Sequence, residues 1–165
     1  MNAAAADSAQ ETPSGLIPSL YRRFQHGSAA LASPFLLLVR VYWGWQFAQT
    51  GWGKLRHLGH VTQFFSSLGI PLPGFNAAFV SGLEFVGGIL LIAGLATRFT
   101  GLLLAVDMIV AYLTTDLAAL ASILSDPDKF YNDAAYTFLI ASLIVLVFGA
   151  GRFSLDYLIW RRCDC

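Results

Sequence analysis

Four apolar stretches separated by brief polar breaks occupy most of this chain: residues 34–53, 76–97, 99–115 and 134–150. Each falls within the roughly 17–25 residues that a helix needs to cross a bilayer. As core helices of a water-soluble protein, four such segments would leave so short a chain almost no polar surface. The pattern predicts an all-α fold, a four-helix transmembrane bundle.

The breaks refine that picture. Almost nothing separates the second and third stretches, so these helices are antiparallel neighbours that turn at Thr97-Arg98. The first connection places Phe64, Phe65 and Leu68 on one face of a short helix, which Gly69 and Pro71 end. Gly149 and Gly151 stop the fourth stretch. After them, residues 153–160 fit a second interfacial helix, with Tyr157 and Trp160 at headgroup level. The pairs Gly44/Ala48, Glu84/Gly88 and Gly101/Ala105 lie four apart, and Gly87 and Gly94 extend the second of these faces. Small residues at that spacing let helix backbones approach closely. Three segments follow: a mobile cytoplasmic tail (1–33), a four-span domain (34–160) and a short end (161–165). Residues 16–24 of the tail suit the membrane surface.

Composition agrees. Hydrophobic residues make up 56% of the chain and charged ones 12%, about half the charge of an ordinary soluble domain. The net charge is zero, and nucleic acid is not an expected partner. The distribution of charge says more. Arg22, Arg23, Arg98, Arg152, Arg161 and Arg162 fall on one side of the predicted spans, and Lys54, Arg56 and Lys129 on the other. The positive-inside rule then gives an N-in/C-in topology. No cleavable signal peptide stands before residue 34. Cys163 and Cys165 form a C-x-C pair at the chain end, and His57 and His60 are three apart. Two ligands do not define a metal site, and no metal is expected.

Three ionisable residues lie inside the stretches: Arg40, Glu84 and Asp107. A charge facing hydrocarbon costs on the order of 2.5–3.5 kcal/mol even on lenient scales, so these side chains must face protein or water. At about 1.5 Å per residue, Arg40 lies about 9 Å and Asp107 about 13 Å from one end, within pairing reach. Glu84 lies about 20 Å from that end, level with Tyr112 and Tyr136 at about 21–22 Å, which could donate to it. Lys54 and Arg56 are the basic groups able to approach Glu84 from the far end. Two readings stay open: a polar network that fixes helix register, and a proton or quinone site flanked by aromatic rings. No P-loop, dinucleotide fingerprint, nucleophile elbow or H-E-x-x-H occurs. Nor do the spans hold a pair of histidines for haem. The catalytic residues, if any, stay unassigned, and no covalently bound cofactor is expected; a partner subunit or a diffusible quinone must carry any electrons.

Taken in order, these motifs resemble the DoxX family. They are Gly51-Trp52-Gly53-Lys54-Leu55, Leu68-Gly69-Ile70-Pro71, Gly82-Leu83-Glu84-Phe85-Val86-Gly87-Gly88, Gly94-Leu95-Ala96-Thr97-Arg98 and Asp107-Met108. The closing Gly149-Ala150-Gly151-Arg152-Phe153-Ser154-Leu155-Asp156 is also similar to endings common there. The resemblance implies a four-helix protein of the bacterial cytoplasmic membrane. Some members are the small subunit of a thiosulfate:quinone oxidoreductase, and others accompany membrane redox complexes. Two functions follow as expectations: a quinone-facing accessory of a redox complex, or a non-catalytic subunit that docks other membrane proteins. A transporter ranks third, because four spans leave little room for alternating access. The expected partners are membrane lipid and either other membrane subunits or further copies of this chain.

Overall fold

Glycine, proline and one aspartate decide where the helices begin and end. The computed structural model describes residues 16–115, 117–121 and 125–163. They form α1 (Leu16–Arg56), α2 (Leu58–Ser67), α3 (Pro73–Ala93), α4 (Thr97–Thr115), α5 (Leu117–Ala121), α6 (Pro127–Tyr131), α7 (Ala134–Phe148) and α8 (Leu155–Cys163). No strand occurs among the described residues. Pro73 opens α3, a position where its missing N–H is no loss. Gly94 closes α3 with φ +69°, and its N–H donates to the carbonyls of Leu90 and Leu91. Asp133 accepts a hydrogen bond from the Ala135 N–H at 2.9 Å and so starts α7. Gly149, at φ +75°, ends it.

Several boundaries differ from the sequence reading. The turn between α3 and α4 spans residues 94–96, ahead of Thr97-Arg98, because Gly94 and Ala96 both take left-handed backbone. The first helix begins at Leu16, well before residue 34, with Pro34 inside it. Of the predicted tail, residues 1–15 lie outside the described residues. So does Cys165 of the C-x-C pair. The short helices α5 and α6, between α4 and α7, were not predicted.

Met1–Ala32 and Ser33–Cys165 are two compact units, and the following concerns the second. There α4 packs against α7 and α3, and α2 packs against α3. Small residues allow the closest approaches. A Cβ on Gly88 would lie 2.5 Å from the Ala48 N and Gly44 O of α1. One on Gly101 would lie 3.1 Å from Ser142 O of α7. Behind these contacts, Val39, Phe47, Leu91, Leu104, Met108, Ala141 and Val145 form the core.

The polarity of the helices is inverted relative to a water-soluble domain. On α3 the buried stripe is Ala77, Ser81, Glu84, Gly88 and Leu91, while Phe75, Phe79, Val86 and Ile89 are exposed. On α4, Asp107 and Thr100 are buried; Phe99, Leu102, Val106, Ile109 and Leu113 are exposed. Large apolar side chains thus cover much of the outside of α3 and α4, while Glu84, Asp107 and several small residues of these helices turn inward beside Leu91, Leu104 and Met108. Water would oppose that arrangement over so large a contiguous area; acyl chains would not. By length and composition α3 and α4 can cross a membrane, whereas α7 is apolar but only 15 residues long.

Candidate functional site

The buried charges separate into two groups along α3, one at its Gly94 end and one near its middle. At the Gly94 end, Arg40 is 1% exposed. The sequence spacing suggested Asp107 as its partner, but its hydrogen bonds run to backbone carbonyls. Nε donates to Leu91 O at 3.0 Å and Nη2 to Ile92 O at 3.3 Å. Nη1 donates to Phe153 O at 3.2 Å and also to Ala150 O. Leu91 and Ile92 lie in the last turn of α3, whose carbonyls have no partners within the helix and carry the negative end of its dipole. A planar guanidinium with five donors satisfies several of them at once. Asp156 completes this junction. Its carboxylate accepts from the Ala96 and Thr97 N–H groups at 2.7 and 2.8 Å, and its own N–H donates to Gly94 O at 2.9 Å. The Gly-x-x-Ser-Leu-Asp ending thereby staples the start of α8 to the α3–α4 turn.

Near the middle of α3 lies a cluster of acid and base. Lys54 Nζ, on the last turn of α1, sits 2.6 Å from Glu84 Oε1. The Lys54 side chain is 39% exposed and that of Glu84 only 3%. Arg56, the other basic candidate, stacks over the Trp52 ring at 5.1 Å. Asp107 is also buried, and the charges of Glu84 and Lys54 both act on it. Among the described residues, four buried side-chain oxygens lack a hydrogen-bond partner. Two belong to Thr97 and Thr100; the others are Glu84 Oε2 and Asp107 Oδ2. Glu84 and Asp107 line one cavity, and Thr97 and Thr100 are not among its lining residues.

That cavity is a cleft of about 640 Å³. Phe47, Phe65, Met108 and Phe138 are among its apolar walls, and Lys54, Glu84, Asp107 and Asp133 are the charged side chains that line it. Residues of α2 cover one side, with the exposed His60 at the edge. Tyr112 and Tyr136 do not line the cleft. The Tyr112 hydroxyl donates to Phe130 O at 2.9 Å. Tyr136 meets the Phe130 and Tyr131 rings at 5.3 and 5.2 Å. Rise per residue gave the heights of these tyrosines but not the rotation that turns them toward α6. Sequence reasoning missed Asp156 as a cap; its position just inside the start of a helix was the signal available. Among the described residues, no three His, Cys, Asp or Glu side chains cluster as a metal site would require.

Comparison with known proteins places this geometry in context. The family model described as DoxX matches residues 35–117. The chain is 33% identical over 125 residues to CatD of Bacillus subtilis, a protein provisionally named an oxidoreductase; the match covers 76% of this chain and 87% of CatD. It is 34% identical over 67 residues to the inner membrane protein YqjF of Escherichia coli, covering 41% of this chain and half of YqjF. No solved structure matches.

Proposed function

This chain belongs to the DoxX family of membrane proteins, and we propose that it is a four-span accessory of a membrane redox complex that holds a quinone in the cleft beside Glu84. The observation that carries this reading is the cleft itself: apolar and aromatic walls converging on two buried carboxylate oxygens without partners. Its volume lies within the roughly 300–1,000 Å³ common for small-molecule sites. Phe47, Phe65 and Phe138 would flank a planar ring, and Lys54, Glu84 and Asp107 would meet its polar edge. A bound quinone would supply two-electron redox chemistry, shared with a partner subunit. The residues of this chain orient the ring, keep water from it and offer the Glu84 and Asp107 carboxylates as acceptors for its protons. The provisional oxidoreductase name of CatD is consistent with such a role.

The proposed setting is the cytoplasmic membrane, with α1, α3, α4 and α7 as spans and both termini inside. The basic residues at the Gly94 end support that orientation. On this topology the cleft opens toward the outer leaflet, beneath α2. At 15 residues α7 reaches only about 22 Å, and the bilayer would thin locally or the helix would lean on its neighbours. A second reading, a non-catalytic docking subunit, is favoured by α8, where Phe153 beside it and Leu158, Ile159 and Trp160 on it are exposed.

Photolabelling separates the two. The purified chain in nanodiscs is irradiated with a short-chain azido-quinone, and the adducts are mapped by mass spectrometry. Adducts concentrated on Phe65, Met108 and Phe138, and displaced by unlabelled quinone, are expected. Labelling spread over the outward faces of α3 and α4, with no competition, would reject the cleft as a quinone site.

A further inference from the structure

We propose that the cleft selects a ligand whose head donates hydrogen bonds, so that it retains a hydroquinone in preference to the corresponding quinone. This rests on the reading that the cleft is a ligand site, and it follows from which polar groups of the wall are still free.

Most donors of the wall are already committed, and the N–H groups that remain belong to Lys54, Asn76 and His60. The Thr50 hydroxyl donates back to the Gln46 and Phe47 carbonyls of its own helix. Thr114 does the same to Val110 and Ala111, and Thr115 to Ala111. The Asn76 amide donates to Pro71 O at 2.6 Å. Lys54 directs its ammonium at Glu84 Oε1. His60 stands exposed at the rim. Asp133 accepts from the Ala135 N–H. Among the described residues, the buried lining acceptors left without a partner are Glu84 Oε2 and Asp107 Oδ2.

A quinone carbonyl can only accept. Set against these oxygens it brings lone pair to lone pair, and even where it accepts from Lys54 it leaves the two buried acceptors unsatisfied. A hydroquinone has the same ring and nearly the same size, but its hydroxyls donate. A buried carboxylate that gains such a donor escapes the penalty of an unmade hydrogen bond. Charge excludes an anionic head, because three carboxylates face one ammonium around the cleft. A hydroxyl on an aromatic ring satisfies the free groups and suits the walls.

Three ligands that share one ring test this on the full chain in nanodiscs: a short-chain ubiquinol, its quinone, and the dimethyl ether of the quinol, which lacks the donors. Equilibrium binding by calorimetry under argon should give the quinol at least tenfold tighter binding than the other two. Asp107→Asn turns an acceptor into a donor and should narrow that gap several-fold. A thermal melt verifies that the variant is folded, and the comparison of ligands on the parent protein stands without it. Equal binding of all three ligands, or tighter binding of the quinone, would overturn the donor preference while leaving the cleft as a site. Failure of all three to bind would overturn both.

Discussion

Arg40 shows what a single buried charge does when its neighbours are helix ends. It serves four carbonyls of the α3 terminus and the segment that follows α7. Arg40→Leu should therefore destabilise the protein by at least about 3 kcal/mol, read as a thermal or denaturant shift in detergent, since charge-assisted bonds to buried acceptors are lost together. Arg40→Lys should recover little, because one ammonium cannot reproduce the planar fork. Asp107 belongs to the other cluster, so Arg40→Leu and Asp107→Asn should add within about 0.5 kcal/mol. Strong coupling between them would mean that the two side chains meet. The sequence made the inward turn of Arg40, Glu84 and Asp107 legible, because lipid penalises the alternative. It did not reveal their partners. Depth along a helix is readable from residue number, but the rotation of each side chain and the pull of unsatisfied carbonyls are not. Lys54 was one of two candidates for Glu84, and only the packing of α1 on α3 distinguishes it from Arg56.

The helices are held by small residues and by local caps. Gly88 lies against the α1 backbone, so Gly88→Leu should force α1 and α3 apart and abolish the folded state in mild detergent, by near-complete loss of the monodisperse peak in size-exclusion chromatography. Asp156→Ala removes the acceptor of two N–H groups at the start of α4, a loss of about 1–2 kcal/mol. The same substitution should speed amide exchange at Ala96 and Thr97 more than elsewhere in α4. Helix α2 was legible from Phe64, Phe65 and the Gly69 stop, and the end of α7 from Gly149. The start of α4 was not, because Ala96 takes a left-handed backbone that its residue type does not announce. The short helices α5 and α6 were missed for a related reason. Each has five residues, too few for a periodic pattern to emerge.

At the scale of the whole molecule, the described residues display many large apolar side chains and bury Arg40, Glu84 and Asp107. In the proposed setting, an apolar ligand would enter the cleft sideways from lipid and meet Glu84 and Asp107 without crossing water. The most direct measurement is lipid accessibility in reconstituted protein. With Cys163 and Cys165 replaced by Ser, single cysteines at Phe79, Val106 and Val147, and at Ala77, Leu104 and Val145, are spin-labelled in turn. Relaxation by oxygen, which concentrates in the bilayer, is then recorded for each. The first three sites should relax several-fold more strongly than the second three. Equal relaxation at both sets, or the reverse order, would contradict the account.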